Sequence, residues 1–381
     1  VRRVGVDADP RREQWRRSAT GVPPAEGRRY DFPFKRSMLK IVFMGSDAIA
    51  LPALNSLADS VAGAGNALGQ IVAVFTQPDR PVGRGQKVQP NAIKQWALAR
   101  GIPVHQPEKF SDADRETLAS YVPDLTLVMA YGHILRDAVI TTPRLGTVNL
   151  HASILPKLRG ASPIQTAVAM GEPETGVALM RIVAQLDAGP VADIERVPIR
   201  PLDTALDVEA KMAAACVPLL ARTLPALERG ELRFVEQDHA AATFCRRLEK
   251  SDGALDFKRP ATELAARING LMPWPGCSAE LVSDGQSQSQ PQFLKFGLAD
   301  VCGESPSSSA EPGTVLGQDA EGIWIATGEG VLRVRRLQRA GGKMLPAEEF
   351  TRGWPLPRGA RFLSRPMVPL VDAKPFPRAR K

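Results

Sequence analysis

The run Leu39-Lys-Ile-Val-Phe-Met44 begins a pattern in which short apolar runs are separated by amphipathic stretches. These runs lack regular polar alternation, which is typical of strands that are covered on both faces of a sheet. Strands that alternate with helices indicate β-α-β units, so we predict an α/β domain with a doubly wound parallel sheet. The predicted strands are Leu39–Met44, Ile71–Phe75, Leu125–Ala130, Thr147–Leu150 and Val177–Val183.

The pattern changes in the second half of the chain. A long helix over Asp203–Arg229, capped by Asp203 or Thr204, ends the first domain, which we place at residues 38–229. Residues 230–245 connect it to residues 246–363, where short strands separated by Gly, Ser and Pro indicate a small antiparallel β-barrel. The predicted strands of this barrel are Cys277–Val282, Gln292–Phe296, Thr314–Leu316, Ile323–Thr327 and Val331–Leu337.

Length and composition fit two domains. The chain has 381 residues, of which 44% are hydrophobic and 24% charged, and this excludes a collagenous or wholly disordered protein. The longest uncharged stretch, Ser60–Pro78, has too many Gly and polar residues for a membrane span. The four cysteines are too widely spaced for C-x-x-C pairs, so we expect reduced thiols and no metal site.

The formal net charge of +8 is concentrated at the two ends of the chain. Residues 1–37 carry ten basic and five acidic side chains, and we expect a disordered basic tail there. Residues 331–381 carry thirteen basic and three acidic side chains, and we expect a frayed basic tail at 364–381. Such an excess suggests a polyanionic partner, although a solvated basic surface explains the charge alone at least as well.

The most specific polar pattern lies in the segment 146–156. On a strand, Asn149 and His151 point to one face, while Val148 and Leu150 point to the other. An amide and an imidazole are therefore expected together near the carboxyl end of a strand, where open α/β sheets bind their ligands.

Asp187 adds a carboxylate in the turn Gln185-Leu-Asp-Ala-Gly-Pro190, after the next predicted strand. Together, Asn149, His151 and Asp187 suit acyl transfer, because Asn and His can donate hydrogen bonds to an oxyanion while the carboxylate orients the imidazole or relays a proton. No Ser or Cys lies in a nucleophile-elbow motif, so direct attack by the acceptor is favoured over a covalent intermediate. A structural histidine and an ordinary Asp-x-Gly turn are the alternative interpretation.

Basic residues mark two further candidate sites. Arg80, Arg84 and Lys87 lie among prolines and glycines, in a loop that is either suited to phosphates or simply solvated. Arg333 and Arg335 share one face of a predicted strand and present a second cationic stripe. The first loop lacks the G-x-x-x-x-G-K-[ST] order, so a nucleotide P-loop is not indicated.

Two other motifs receive structural interpretations. Gly45 lacks the further glycines of a dinucleotide site and is expected to serve the first β-α turn. Trp274 lies between two prolines, and we expect it to pack rather than to stack on a base.

Asn149, His151, the run Ser153-Ile-Leu-Pro156 and Asp187-Ala-Gly189 together resemble the signature of the formyltransferases that use 10-formyltetrahydrofolate. The resemblance extends from about Leu39 to about Phe362, so it covers both domains. The other stretches that resemble the family are Ile41-Val-Phe-Met-Gly45, Phe75-Thr-Gln-Pro-Asp-Arg-Pro-Val-Gly-Arg-Gly85, Met129-Ala-Tyr-Gly132, Arg159-Gly-Ala-Ser-Pro-Ile-Gln165, Glu174-Thr-Gly176 and Pro273-Trp-Pro275.

The resemblance implies a Rossmann-like catalytic domain followed by an OB-like domain that helps to bind RNA. It implies that Asn149, His151 and Asp187 are catalytic and that 10-formyltetrahydrofolate is the formyl donor, used without a metal. The residues implied in contacts with this co-substrate are Ser153, Ile154, Leu155 and Pro156.

The acceptor implied by the resemblance is the α-amino group of methionine carried by initiator tRNA. We expect a monomer in the cytoplasm with no membrane association. The residues expected to bind the tRNA are Arg80, Arg84, Lys87, Arg333 and Arg335.

Two alternatives remain open from the sequence. A sibling formyltransferase would act on a sugar nucleotide or on glycinamide ribotide, but the cationic loop and the basic second domain argue against it. A non-catalytic RNA-binding protein would keep only a vestigial folate domain, but the complete set of Asn149, His151 and Asp187 argues against that.

Overall fold

The first domain is built on a seven-stranded mixed sheet with helices packed against it. The computed structural model describes residues 38–62, 68–82, 85–282, 292–303 and 310–377, so the expected N-terminal tail and Arg84 lie outside the described residues. In chain order the elements are β1 (Lys40–Gly45), α1 (Leu51–Ala62), β2 (Gln70–Phe75), β3 (Arg80–Val82), β4 (Lys87–Gln89), α2 (Ala92–Leu98), β5 (Val104–His105), α3 (Asp112–Ser120), β6 (Leu125–Met129), α4 (Asp137–Ile140), β7 (Thr147–His151), β8 (Arg159–Gly160), α5 (Pro163–Ala169), β9 (Glu174–Arg181), β10 (Val191–Pro198) and α6 (Ala205–Glu228).

The large sheet has the strand order β10-β9-β7-β6-β1-β2-β5. Its five strands from β7 to β5 are parallel, as the sequence predicts. The run Val177–Val183 lies mainly in β9, which is antiparallel to both β7 and β10, so an all-parallel sheet is wrong at this edge. Apolar periodicity reports burial and carries no strand direction, and antiparallel edge strands on parallel sheets are common.

Helix α6 covers one face of this sheet. The predicted helix at Asp203–Arg229 is confirmed, and its cap is Thr204, whose side chain accepts a hydrogen bond from the backbone N–H of Asp207 in a capping box. By length and composition α6 could cross a membrane. Its apolar side chains, however, include Val208, Met212 and Leu219, which are buried in the main core cluster, so α6 is packed as a core helix.

The second domain is a curled antiparallel sheet of order β14-β15-β16-β13-β12-β18, which confirms the predicted β architecture. A bridge between Thr314 and Arg361 brings its two edges together, and Phe257, Phe296 and Phe362 fill its centre. The remaining elements after the first domain are β11 (Phe244–Cys245), α7 (Ala261–Gly270), β12 (Cys277–Val282), β13 (Gln292–Val301), β14 (Val315–Gln318), β15 (Ile323–Ala326), β16 (Val331–Arg339), β17 (Leu345–Pro346), α8 (Ala347–Gly353), β18 (Arg361–Phe362) and β19 (Val371–Asp372).

A small sheet of order β19-β11-β8 joins three distant parts of the chain. Strand β8 belongs to the first domain, β11 to the connecting stretch, and β19 to the region in which we expected a frayed tail. That expectation is wrong for the described residues up to 377, because β19 pairs with β11 and Leu370 is buried. Apolar Leu370 and Val371 sit among basic and proline residues, so the composition of the segment hides its packing.

Candidate active site

Strand β7 presents the two polar side chains that the sequence singled out. Val148 and Leu150 are buried in the main core cluster on one face of the sheet, so Asn149 and His151 point to the other, as the period of two predicts. Within the described residues, the Asn149 side chain makes no hydrogen bond, which leaves its amide free to donate.

The two ring nitrogens of His151 face different groups. Nε2 lies 3.1 Å from the carbonyl oxygen of Leu158. Because a carbonyl oxygen can only accept, Nε2 carries a proton and donates it there. Nδ1 lies 3.7 Å from Oδ2 of Asp187, which is ion-pair range and longer than a hydrogen bond. The Leu158 carbonyl therefore holds the ring, whereas the sequence interpretation gave this positioning role to Asp187.

Asp187 is presented by a tight turn. Its φ of 46° lies in the left-handed region, and its Oδ2 accepts a hydrogen bond of 2.8 Å from the backbone N–H of Gly160. Gly160 must be glycine, because a β-carbon there would lie 2.0 Å from the carbonyl oxygen of Cys245. The carboxylate is thus fixed between His151 and the backbone of β8.

Two residues behind this turn were not identified as site residues from the sequence. The side chain of Gln237 donates from Nε2 to the carbonyl oxygens of Asp187 and Gly189, at 2.9 and 2.7 Å. Its Oε1 in turn accepts two hydrogen bonds from Arg159. Burial lowers the pKa of the Arg159 guanidinium, and the nearby Asp187 carboxylate opposes that shift. No local motif marks Gln237, which lies in the stretch that we interpreted as a linker.

A thiol lies beside the histidine but is not poised to react. Cys245 Sγ lies 3.6 Å from the same Leu158 carbonyl oxygen that accepts from His151. Burial raises the pKa of Cys245 to about 11, so the group stays a neutral thiol at neutral pH. A thiolate nucleophile is therefore not supplied here.

The run Ser153–Pro156 is used largely for packing. The Ser153 hydroxyl donates to the carbonyl oxygen of Lys157 at 2.6 Å, and Leu155 is buried with Ala178 and Met180. Ile154 is half-buried and lines a cavity of about 250 Å³. Contact of this run with a folate stays a prediction, and the half-buried Ile154 and Pro156 are its members with exposed surface to offer.

The predicted cationic loop is a two-stranded hairpin, β3–β4, in which Arg80 pairs with Gln89. Arg80 and Lys87 are exposed and form no ion pair with a described residue. The base of the hairpin is fixed by a polar network that the sequence interpretation missed, in which Asp79 contacts Lys94 at 2.7 Å and Gln106 at 2.8 Å. These bonds, led by the one from Lys94, lower the pKa of Asp79.

The two arginines that were predicted to form a cationic stripe on β16 are not free. Both Arg333 and Arg335 bond Asp300, at 2.7 and 2.8 Å, and both also contact Glu321. Two guanidinium groups thus face two carboxylates, which removes the basis for a cationic stripe at this position. Their contact with tRNA stays a prediction that the ion pairs argue against.

Two remaining motifs can be compared with the structure. Gly45 is required at the β1 turn, because a β-carbon there would lie 2.3 Å from the carbonyl oxygen of Met129. Trp274 is 51% exposed, so the expectation that it packs is wrong. No group of three or more His, Cys, Asp or Glu side chains that could hold a metal occurs among the described residues.

Comparisons with known proteins place the chain in a family. The family described as "Formyl transferase" matches residues 39–224, and "Formyl transferase, C-terminal domain" matches residues 247–355. The chain belongs to the formyl transferase family. Methionyl-tRNA formyltransferase of Ectopseudomonas mendocina is 42% identical over 308 residues, covering 81% of this chain and 92% of that protein. The enzyme of the same name from a Sulfurihydrogenibium species is 36% identical over 327 residues, covering 85% of this chain and 100% of that protein.

Solved structures of formyl transferases share the fold. WlaRD, a sugar 3N-formyl transferase described in the presence of dTDP and 5-N-formyl-THF, superposes with a TM-score of 0.57 at 18% identity, covering 80% of this chain and 99% of that one. An N-formyltransferase from Helicobacter canadensis, in complex with folinic acid and dTDP-3-aminofucose, gives a TM-score of 0.56 at 18% identity, with coverage of 79% and 100%. At this identity the likeness is one of fold.

Proposed function

We propose that this formyl transferase moves a formyl group from 10-formyltetrahydrofolate to the α-amino group of methionine on initiator tRNA. The observation that carries the proposal is the meeting of His151 and Asp187 at 3.7 Å beside the free amide of Asn149. The name shared by relatives that are 36–42% identical over most of the chain supports the choice of acceptor.

In this reaction the neutral amine attacks the formyl carbon, and the formyl oxygen becomes an oxyanion. The Asn149 amide and a protonated Nδ1 of His151 donate hydrogen bonds to that oxygen, and Asp187 stabilises the imidazolium. Collapse forms the new N–C bond of formylmethionine and breaks the bond to N10 of the folate. The proton lost by the amine passes through Asp187 to N10, so tetrahydrofolate leaves as the neutral amine.

The two substrates, the formyl donor and the tRNA, are assigned to different surfaces around His151 and Asp187. We assign the formyl donor to the surface near Ile154 and the tRNA to the exposed side chains Arg80 and Lys87, together with Arg84. The reaction takes place in the cytoplasm, and the protein acts as a monomer. A basic hairpin that is held at its base and exposes Arg80 and Lys87 suits a phosphate backbone better than it suits a small acceptor.

The test is a formyl-transfer assay with the purified full chain and 10-formyltetrahydrofolate. We expect rapid turnover with charged initiator tRNA and much slower turnover with charged elongator tRNA. Faster transfer to a dTDP-amino sugar or to glycinamide ribotide would show that the proposed acceptor is wrong, while the proposed formyl-transfer mechanism would stand. Absence of transfer to all of these acceptors would remove the catalytic proposal and favour an RNA-binding protein.

A further inference from the structure

A second groove lies close to the proposed catalytic residues and takes no part in the mechanism above. It has a volume of about 240 Å³ and forms where the start of α5, the amino end of α6 and the turn after α7 meet. The lining residues that matter here are Ser162, Gln165, Leu206, Arg247, Met272 and Trp274.

The walls of this groove leave large apolar side chains open to solvent. Trp274 is 51% exposed and Leu206 is also 51% exposed, whereas Trp96 in the core is 7% exposed. Pro275 restricts the backbone of Trp274, and the indole is left half uncovered. A large aromatic face left in water is a feature of surfaces that bind a flat ligand.

The groove contains one carboxylate, that of Glu209, whose pKa is raised by burial and by the nearby Asp47. Its other polar side chains form no side-chain bond within the described residues. Ser162 begins α5 without a side-chain capping bond. The amide of Gln165 and the guanidinium of exposed Arg247 make no hydrogen bond or ion pair with a described side chain. An aromatic platform, an amide that can pair with a base edge, and a free cation form a set that proteins use for unpaired nucleotides.

The groove is close enough to Asp187 for one aminoacyl-nucleotide to extend from one to the other. The backbone N–H of Gly160 donates to Asp187, and Ser162 follows Gly160 by two residues. Their Cα atoms are therefore at most about 7.6 Å apart, given 3.8 Å between consecutive Cα atoms. The reacting amine of an aminoacyl-tRNA is joined through one ester to the terminal ribose, so only a few bonds separate it from the terminal base. This separation is comparable with the two-residue distance from Gly160 to Ser162.

We propose that this groove binds the 3′-terminal nucleobase of the acceptor RNA. The base stacks on Trp274, Gln165 and Ser162 contact its edge, and Arg247 contacts the adjoining phosphate. This inference rests on the proposed function, because it takes the acceptor to be a charged RNA. It adds a specificity determinant, since an acceptor without a terminal base would lose this contact.

The test compares two short RNA stem-loops with single-stranded 3′ ends, identical except that the terminal nucleotide is intact or abasic. Binding to the full-length protein is measured by fluorescence anisotropy at one fixed salt concentration. We expect wild type to bind the intact RNA about tenfold more tightly, which corresponds to about 1.4 kcal/mol and lies within the range for stacking of one base. Trp274→Ala should bind both RNAs equally, and Trp274→Phe should keep most of the preference.

Met170→Ala is the matched control, because Met170 is 53% exposed and does not line the groove. Equal binding of the two RNAs by wild type, including no measurable binding of either, would overturn the inference, as would a full preference in Trp274→Ala. Because binding needs no chemistry, this result is separate from the formyl-transfer assay. A wild-type protein that prefers the intact RNA but transfers no formyl group would contradict the proposed function alone.

Discussion

His151 is the residue on which the proposed chemistry depends most directly. Its Nε2 is committed to the Leu158 carbonyl, so only Nδ1 can serve both Asp187 and a developing oxyanion. We expect His151→Ala to lower kcat by about a hundredfold to a thousandfold, the range for loss of one oxyanion donor. Steady-state kinetics with charged initiator tRNA would measure this, and activity equal to wild type would remove His151 from the mechanism.

Gln237 supports the catalytic groups indirectly, because it holds the backbone of the turn that carries Asp187. It is 8% exposed, and its removal would leave the carbonyl oxygens of Asp187 and Gly189 without their donor. Buried groups left without a partner cost about 1–3 kcal/mol each. We expect Gln237→Leu to lower kcat at least tenfold by displacing Asp187, with little change in KM for tRNA.

Gln338→Leu is the control for that variant, because the half-buried Gln338 also donates to a backbone carbonyl, that of Gly342, far along the chain from the site. It should leave kcat unchanged. A Gln237→Leu enzyme with wild-type kcat would show that the Asp187 turn keeps its shape without this support.

His151 and Gln237 show which site residues can be predicted from the sequence and which cannot. The shared face of Asn149 and His151 follows from the period of a strand, and both are where that period places them. Gln237 and Arg159 are 78 residues apart, and the contact depends on how β8 and the connecting stretch fold together. Arg333 and Arg335 were predicted to form a cationic stripe because the sequence does not show that Asp300 lies opposite them in the folded sheet.

At the scale of elements, the β3–β4 hairpin is the best candidate for contact with phosphates. Arg80 is exposed and unpaired within the described residues, whereas Arg333 is bound to Asp300 and Glu321. Arg80→Ala should weaken tRNA binding and reduce the slope of log K against log salt by about 0.9, the value for one phosphate contact. Arg333→Ala should leave the slope unchanged.

Binding titrations at several salt concentrations would measure both slopes. An unchanged slope for Arg80→Ala would exclude a phosphate contact by that residue. A reduced slope for Arg333→Ala would instead show that its carboxylate partners give way to RNA, and would restore the sequence-based prediction for β16.

Most elements follow from the sequence, whereas the direction of β9 does not. The predicted strand Cys277–Val282 has the bounds that the structure gives, and the predicted Leu39–Met44 differs from β1 by one residue at each end. These runs are bounded by turn residues, which set strand ends locally. Strand β9 is antiparallel because of where α5 returns the chain, which no local pattern encodes.

In the folded molecule, some basic side chains of the C-terminal region form ion pairs with carboxylates from other parts of the chain. Four of the ten basic side chains that the structure describes over residues 331–377 pair with carboxylates from the middle of the chain. Arg361 pairs with Glu311, and Arg365 pairs with Glu280 at 3.0 Å. Part of the basic C-terminal surface is therefore neutralised within the protein, which favours the exposed hairpin of the first domain as the site for a polyanion.

The C-terminal segment packs against the second domain and pairs, through β11, with strand β8 beside the active site. Buried Arg267 donates to the carbonyl oxygen of Val368, Leu370 is 2% exposed, and β19 pairs with β11, which pairs with β8 beside Asp187. A chain ending at residue 369 would lose the buried leucine and one strand of this small sheet. Burial of a leucine side chain alone contributes about 1.5–3 kcal/mol.

We therefore expect truncation after residue 369 to lower the midpoint of thermal unfolding by several degrees and to reduce kcat, because Gly160 in β8 holds the Asp187 carboxylate. Calorimetry and the formyl-transfer assay would measure the two effects. Truncation after residue 377 is the control, since it keeps Leu370 and β19 and should match wild type in both. Loss of stability without loss of kcat would mean that β8 keeps its position without the C-terminal strand, and the link from tail to active site would then be absent.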